Sequence, residues 1–229
     1  MITAVTTVIH AAKSMQVLFV DGGDRRGRRG RYVHLNGGTI STTVGHMDWP
    51  RRIPTLTDGV ITLRPLVYDD IDAVLAASQD PLTAAFTVVP SPYTEADARD
   101  FVEDRAVKVW PGFDVAIVDA DDRFLGLCGL RDEDDNAVTS IGYAVAPWAR
   151  GAGIATRATR LLIAFSWQIG AVRVGLDVYA DNTASRAVAL RCGFTQEGVL
   201  RSAALGKNGR RHDLVKYGLL KTDSFLETK

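Results

Sequence analysis

The sequence predicts an α/β fold in which helices flank one mixed central sheet. Three observations carry this. From Val60 to Leu220 the segments read in the order β-α-α-β-β-β-α-β-α-β-β. Three apolar runs (Asp114–Asp119, Phe124–Leu130, Val138–Val145) are separated only by short acidic turns at Asp119–Asp122 and Asp132–Asn136, the spacing of an antiparallel meander. A glycine-containing turn then feeds a long helix, Gly151–Trp167, with Ile154, Ala158, Leu161, Leu162 and Phe165 on one face.

Each element has a local reason. Val60–Leu66 alternates apolar and polar residues, as a half-buried strand does. Tyr68–Gln79 carries Ile71, Val74 and Leu75 at helical spacing, and Asp69 and Asp70 suit its N-terminus. Two prolines, Pro90 and Pro92, make Phe86–Tyr93 a loop. Thr94 is a good N-cap for a second helix, which is expected to run to about Val109 and stop at Pro111-Gly112. Beyond the long helix come a strand over Val172–Tyr179, a short helix over Thr183–Arg191, and strands over Phe194–Arg201 and Asp213–Leu220.

Composition bounds the function classes. The 229 residues can bury a sizeable core, and 46% hydrophobic with 24% charged is ordinary for a globular protein. Lys+Arg and Asp+Glu balance at 27 each, so no global field points to nucleic acid or a membrane. No apolar run spans a bilayer, and Met1–Val20 lacks the basic start of a signal peptide. Two cysteines, Cys128 and Cys192, make neither a disulfide framework nor a metal site, and the default setting is cytoplasmic.

The balance is uneven along the chain. Residues 1–52 hold eight basic and three acidic residues, which leaves 19 basic and 24 acidic in the remainder. Val17–Val20 and Ile40–Val44 could be short strands, but Gly22–Arg31 between them is an Arg/Gly run without apolar periodicity. The expected organisation is an N-terminal extension over 1–52, disordered or preceding a natural start at Met47. A folded domain over 53–222 and a tail over 223–229 follow. A nucleic-acid-binding arm is the sharper reading of the Arg/Gly run.

The first chemical constellation is Val145-Ala146-Pro147-Trp148-Ala149-Arg150-Gly151-Ala152-Gly153-Ile154-Ala155. A strand ends, a turn follows and a helix begins, so several backbone N–H groups converge where the helix dipole favours an anion. A P-loop would need Gly-Lys-Ser/Thr, which is absent. A dinucleotide fingerprint would need a third glycine within a parallel β-α-β unit. A coenzyme A pyrophosphate site and a plain helix cap remain.

The second constellation is Asn182-Thr183-Ala184-Ser185 opening the short helix, with Gly193-Phe194-Thr195-Gln196-Glu197-Gly198 after it. Together with Arg150-x-x-Gly153-x-Ala155, this ordered set resembles the GCN5-related N-acetyltransferase (GNAT) superfamily. It is most similar to the branch that acetylates N-termini of ribosomal proteins (RimJ/RimL-like). The resemblance covers about residues 56–222, roughly three quarters of the chain.

That resemblance implies a GNAT fold, acetyl-CoA as cosubstrate, no metal, and direct transfer of acetyl to an amine in a ternary complex. The acceptor would be a protein N-terminus or a small-molecule amine; many relatives pair as homodimers. Arg150, Gly151, Ala152, Gly153, Ile154 and Ala155 would hold the pyrophosphate through main-chain N–H groups. The strand end near Val145 would splay from its neighbour and bond the pantetheine arm, and Asn182 would bond the cofactor nearby. Ser185 would sit near the sulfur. Many relatives place a tyrosine four residues beyond it to protonate the departing thiolate; here that place is Ala189, so Ser185 is the remaining hydroxyl and the catalytic candidate.

The reaction also needs a base, because a lysine-like ammonium with a pKa of about 10 must lose a proton before attack. The glutamate common in the branch falls, by spacing, at Ala204. Glu133, Asp132, His212 and Asp213 stay open as alternatives, and Glu197 reads as structural. The empty base position also admits a non-catalytic acyl-CoA sensor, and succinyl-CoA stays open as another donor. Cys192 and the tryptophans Trp110, Trp148 and Trp167 read as packing residues.

Overall fold

The computed structural model describes residues 47–107, 112–134, 136–206 and 209–223, together with the backbone of three strands before them. Those three, β1 (Leu18–Gly23), β2 (Arg29–Leu35) and β3 (Gly38–Thr42), form an antiparallel sheet of their own with Leu18 opposite His34 and Arg31 opposite Thr42. β1 and β3 overlap the two expected strands. β2 was not expected, because its first residues lie in the Arg/Gly run. The rest of that run, residues 24–28, and Trp110 lie outside the described residues, as do 1–17 and the tail from 224.

The main sheet has eight strands: β4 (Leu56–Thr57), β5 (Thr62–Arg64), β6 (Gly112–Val118), β7 (Phe124–Asp134), β8 (Val138–Val145), β9 (Arg173–Tyr179), β10 (Thr195–Leu205) and β11 (Arg211–Leu220). Their spatial order is β10-β11-β9-β8-β7-β6-β5-β4. Every pair is antiparallel except β8 with β9, which are parallel because α4 (Ile154–Gln168) crosses between them. The mixed sheet and its meander are as the sequence predicts.

Alternation puts two cores on the two faces. Val115 and Ile117 of β6 face α4 with Leu162, Ile163 and Phe165, and α5 (Thr183–Arg191) closes this side through Val188 and Ala189. Ala116 and Val118 face the other way. There they meet Val74 of α1 (Ile71–Ser78) and Ala98 of α3 (Glu95–Asp100). The residues ahead of β4 pack on the first core: Met47 is buried, Asp48 N–H bonds Ile169 O at 2.7 Å, and Trp49 meets Phe113 edge-on.

Several boundaries differ from the sequence reading: β5 is shorter than expected, β11 starts two residues early, and β7 runs on to Asp134 through much of the expected acidic turn. A short helix α2 (Pro81–Phe86) occupies a stretch given no element; Asp80 caps it and Pro81 starts it, a start signal too short to show periodicity. The helix capped by Thr94 is α-helical only to Asp100 and then widens to a π turn over Phe101–Arg105. The long helix begins at Ile154 rather than Gly151, because Gly151 and Gly153 have φ of 79° and 76°, outside the helical region. β10 continues past Arg201 to Leu205 through a bulge at Ser202, whose φ is 54°.

Candidate active site

The site starts from a parting of strands. β8 and β9 pair only at Val138–Arg173, Thr139–Val174 and Ser140–Gly175. Past that point β8 stays bonded to β7 as far as Val145–Gly126, and β9 stays bonded to β11 as far as Tyr179–Leu214. The facing edges of Ile141–Val145 and Leu176–Tyr179 therefore diverge with their backbone groups unused by each other, and a cleft of about 820 Å³ opens there. Such edges offer N–H and C=O groups to an extended amide-bearing chain, as a further strand would be offered them.

One end of the cleft is the glycine turn. Gly151 and Gly153 take left-handed backbone, which costs any other residue about 1–2 kcal/mol. A Cβ built at either meets nothing within 4 Å, so the protein itself does not fill the space beside them. Gly153 is the N-cap of α4 and no side chain caps the helix, so the first-turn N–H groups of Ile154 and Ala155 point out at the dipole's positive end. This cradle suits a pyrophosphate.

Arg150 does a different job from its neighbours. Its Nη2 lies 2.5 Å from Asp80 Oδ2 and 3.1 Å from Thr83 Oγ1, and its Nε bonds Val145 O at 3.3 Å. The side chain thus ties the turn to the start of α2. The Arg150 guanidinium holds the Asp80 carboxyl below the usual carboxylate range.

The other wall is the start of α5. Asn182 Oδ1 accepts from Ser185 N at 3.0 Å and so caps the helix, which leaves its NH2 group for a ligand. Ser185 Oγ lies 2.8 Å from Tyr143 Oη, and Tyr143 also donates to Ser185 O at 3.2 Å. Burial pushes Tyr143 up to about 12, so it stays protonated. Sequence reasoning missed Tyr143. The signal was present, since alternation from the buried Ile141 puts Tyr143 on the α5 side of β8. Ala189 is fully buried in the core.

Of the residues expected in the site, Val145, Arg150, Gly151, Gly153, Ile154, Ala155, Asn182 and Ser185 all line the cleft, and Ala152 lies in the turn between the two glycines. Asp132 and Glu133 sit at the far end of the sheet, where Asp132 pairs with Thr139 and accepts from Trp49 Nε1 at 3.3 Å. Asp213 Oδ1 accepts from Ser202 N at 2.7 Å and pins the β10 bulge. Glu197 is paired with Arg173, the structural part expected of it. Both cysteines are buried, and burial pushes their thiols up, Cys192 to about 11. Trp148 is half exposed, with its ring N–H on Phe124 O. Among the described residues, no cluster of three or more His, Cys, Asp or Glu side chains could hold a metal ion, and no helix is long and apolar enough to cross a membrane.

Comparison with known proteins decides the family. The model of the acetyltransferase (GNAT) domain matches residues 61–195. This chain belongs to the GNAT family. A curated relative, "Putative ribosomal N-acetyltransferase YdaF" of Bacillus subtilis, is 39% identical over 105 residues, 45% of this chain. The match spans 57% of that relative's length. Among solved structures, a GCN5-related N-acetyltransferase from Brucella melitensis superposes with a TM-score of 0.66 at 26% identity, covering 77% of this chain and 82% of that one. The microcin C7 self-immunity acetyltransferase MccE, solved with acetyl-CoA and AMP, gives 0.63 at 25% identity, covering 72% and 93%. The GNAT fold expected from the sequence is the fold found.

Proposed function

We propose that this GNAT chain is an N-acetyltransferase that passes the acetyl group of acetyl-CoA to a primary amine, by direct attack with both substrates bound. The single observation that carries this is the parting of β8 and β9 beside the Gly151–Gly153 turn. It supplies an anion cradle and, running from it, free strand edges for a linear amide chain. Acetyl-CoA has both parts, and it is bound in the structure of MccE.

The residues divide the work. Main-chain N–H groups from Gly151 to Ala155 take the pyrophosphate. The edge Ile141–Val145 and the Asn182 NH2 take the pantetheine amides. Ser185, its hydroxyl held by Tyr143, gives a proton to the departing sulfur. Direct attack is favoured over an acyl-cysteine because both thiols are buried and stay protonated. The acceptor is a protein N-terminus or a small amine; the Bacillus relative carries the name of a ribosomal N-acetyltransferase.

The test is turnover of the full chain with acetyl-CoA against peptides beginning with serine or alanine, spermidine and free lysine. Thiol release is followed together with the mass gain of one acetyl group. Acetylation of one class supports the reading. Tight acetyl-CoA binding without turnover on the panel points to a sensor, and turnover with succinyl-CoA alone corrects the donor.

A further inference from the structure

The acceptor amine must lose protons; of the carboxylates lining the cleft, Asp177 is paired with Lys216 and Asp181 lies beside His212. A candidate lies one strand further. Tyr179 of β9 pairs with Leu214 of β11, and Asp177 with Lys216. Side chains alternate, so His212, Leu214 and Lys216 stand on the same face of the sheet as Tyr179 and Asp177. Asp213, Val215 and Tyr217 take the opposite face, where Tyr217 meets Arg186 of α5. The face carrying His212 is also the one that Phe86, at the end of α2, reaches: its ring centroid is 6.0 Å from that of Tyr179. Phe86, Tyr179 and Asp181 all line the cleft.

His212 stands directly behind this wall. Its ring packs edge-on against Tyr179, with centroids 5.4 Å apart. Its Nδ1 lies 3.4 Å from Asp181 Oδ2, in the loop between β9 and α5. A carboxylate beside Nδ1 favours the tautomer that carries its proton on that nitrogen. Two small residues of the β10 strand-and-turn region flank the ring. Ala204 is the cross-strand partner of His212, in a register set by the bulge at Ser202. A Cβ on Gly206 would stand 2.8 Å from Nε2, so glycine is what lets the turn lie against the ring.

We propose that His212, oriented by Asp181, is the general base that takes a proton from the acceptor ammonium before attack. The inference rests on the acetyl-transfer reading above. The ammonium gives one proton to Nε2, and the nitrogen lone pair then forms the C–N bond while the C–S bond breaks. The sulfur takes the Ser185 hydroxyl proton, and the second nitrogen proton replenishes Ser185 through solvent. The proton on His212 leaves to bulk water, so one ammonium and one thioester give one amide, one thiol and one proton. Asp181 is a positioning residue in this scheme, and the face that His212 shares with Tyr179 and Asp177 is where the amine approaches.

The test is steady-state transfer on the best amine of the panel by wild type, His212→Ala, His212→Ala with added imidazole, Asp181→Asn, and His212→Ala combined with Ala204→Glu. Cross-strand pairing puts the new carboxylate of that double variant where the imidazole stood. Acetyl-CoA affinity and melting temperature are measured on each. The expected result is a kcat lowered about 100-fold in His212→Ala with acetyl-CoA affinity unchanged. Imidazole or Ala204→Glu should restore at least a tenth of it, and Asp181→Asn should lower kcat about 10-fold with KM unchanged. A His212→Ala kcat within threefold of wild type overturns the proposal. So does a loss that neither imidazole nor Ala204→Glu reverses. A wild-type chain that acetylates no amine while binding acetyl-CoA fails the functional reading instead.

Discussion

Tyr143 Oη lies 2.8 Å from Ser185 Oγ, joining the splayed end of β8 to the first turn of α5. Tyr143 has one proton. When it goes to the Ser185 carbonyl, the Ser185 hydroxyl donates into Tyr143; when it goes to Ser185 Oγ, the serine proton is free to point into the cleft. The pair therefore has two settings, and only the second offers a proton to a leaving sulfur.

Removing the tyrosine hydroxyl removes the switch. Tyr143→Phe is expected to lower kcat about 10-fold and Ser185→Ala about 100-fold, the latter at the low end of what a positioned general acid contributes. The KM for acetyl-CoA should stay within twofold, because neither hydroxyl is placed on the pyrophosphate. Steady-state kinetics at saturating amine check both.

Asp80 and Arg150 make a pH-dependent tie. The hydrogen bond from Arg150 holds the folded-state value of Asp80 below its unfolded value of about 3.9. A depressed carboxylate contributes stability that is present above the unfolded value and lost as pH falls through the folded one. Asp80→Asn should therefore melt lower than wild type at pH 7, and the gap should close as the pH is taken below about 4. Acetyl-CoA should also bind less tightly to the variant at pH 7, because the glycine turn loses its anchor on α2. Melting curves across pH and a binding titration check the two parts.

Arg173 and Glu197 pair across the exposed face, away from the cleft. The hydrogen bonds from Arg173 hold Glu197 below the ordinary carboxylate range. Glu197→Gln should leave kcat within twofold and cost less than about 1 kcal/mol in a denaturant titration, as exposed ion pairs do.

Much of this was legible in the chain. Alternation in Phe124–Leu130 and Val138–Val145, broken by acidic turns, fixed the meander, and the 3.6-residue period from Ile154 fixed the crossover helix that makes β8 and β9 parallel. The glycine turn was legible because glycines between a strand and a helix mark a turn that left-handed backbone demands. What stayed hidden depends on register. Nothing local to Tyr143 says that its hydroxyl meets a serine 42 residues away. The tie from the Arg150 side chain to Asp80 could not be read, because α2, which brings Asp80 to it, is too short for periodicity. The partner of Ala204 could not be counted from sequence, because the Ser202 bulge shifts the pairing between β10 and β11.

The most direct measurement is the thermal midpoint of the full chain with and without acetyl-CoA, beside a Gly153→Trp variant. A ligand bound only to the folded state, at about 100 times its Kd, adds about 2.7 kcal/mol. For a domain of this size that is a rise of roughly 5–10 °C. The account predicts that rise in the wild type and its loss in the variant, where an indole fills the cradle and left-handed backbone is imposed on a bulky residue. No shift in the wild type with millimolar acetyl-CoA, and none with succinyl-CoA or free coenzyme A, would mean that the glycine turn only ends a strand and starts a helix, and would contradict the central claim.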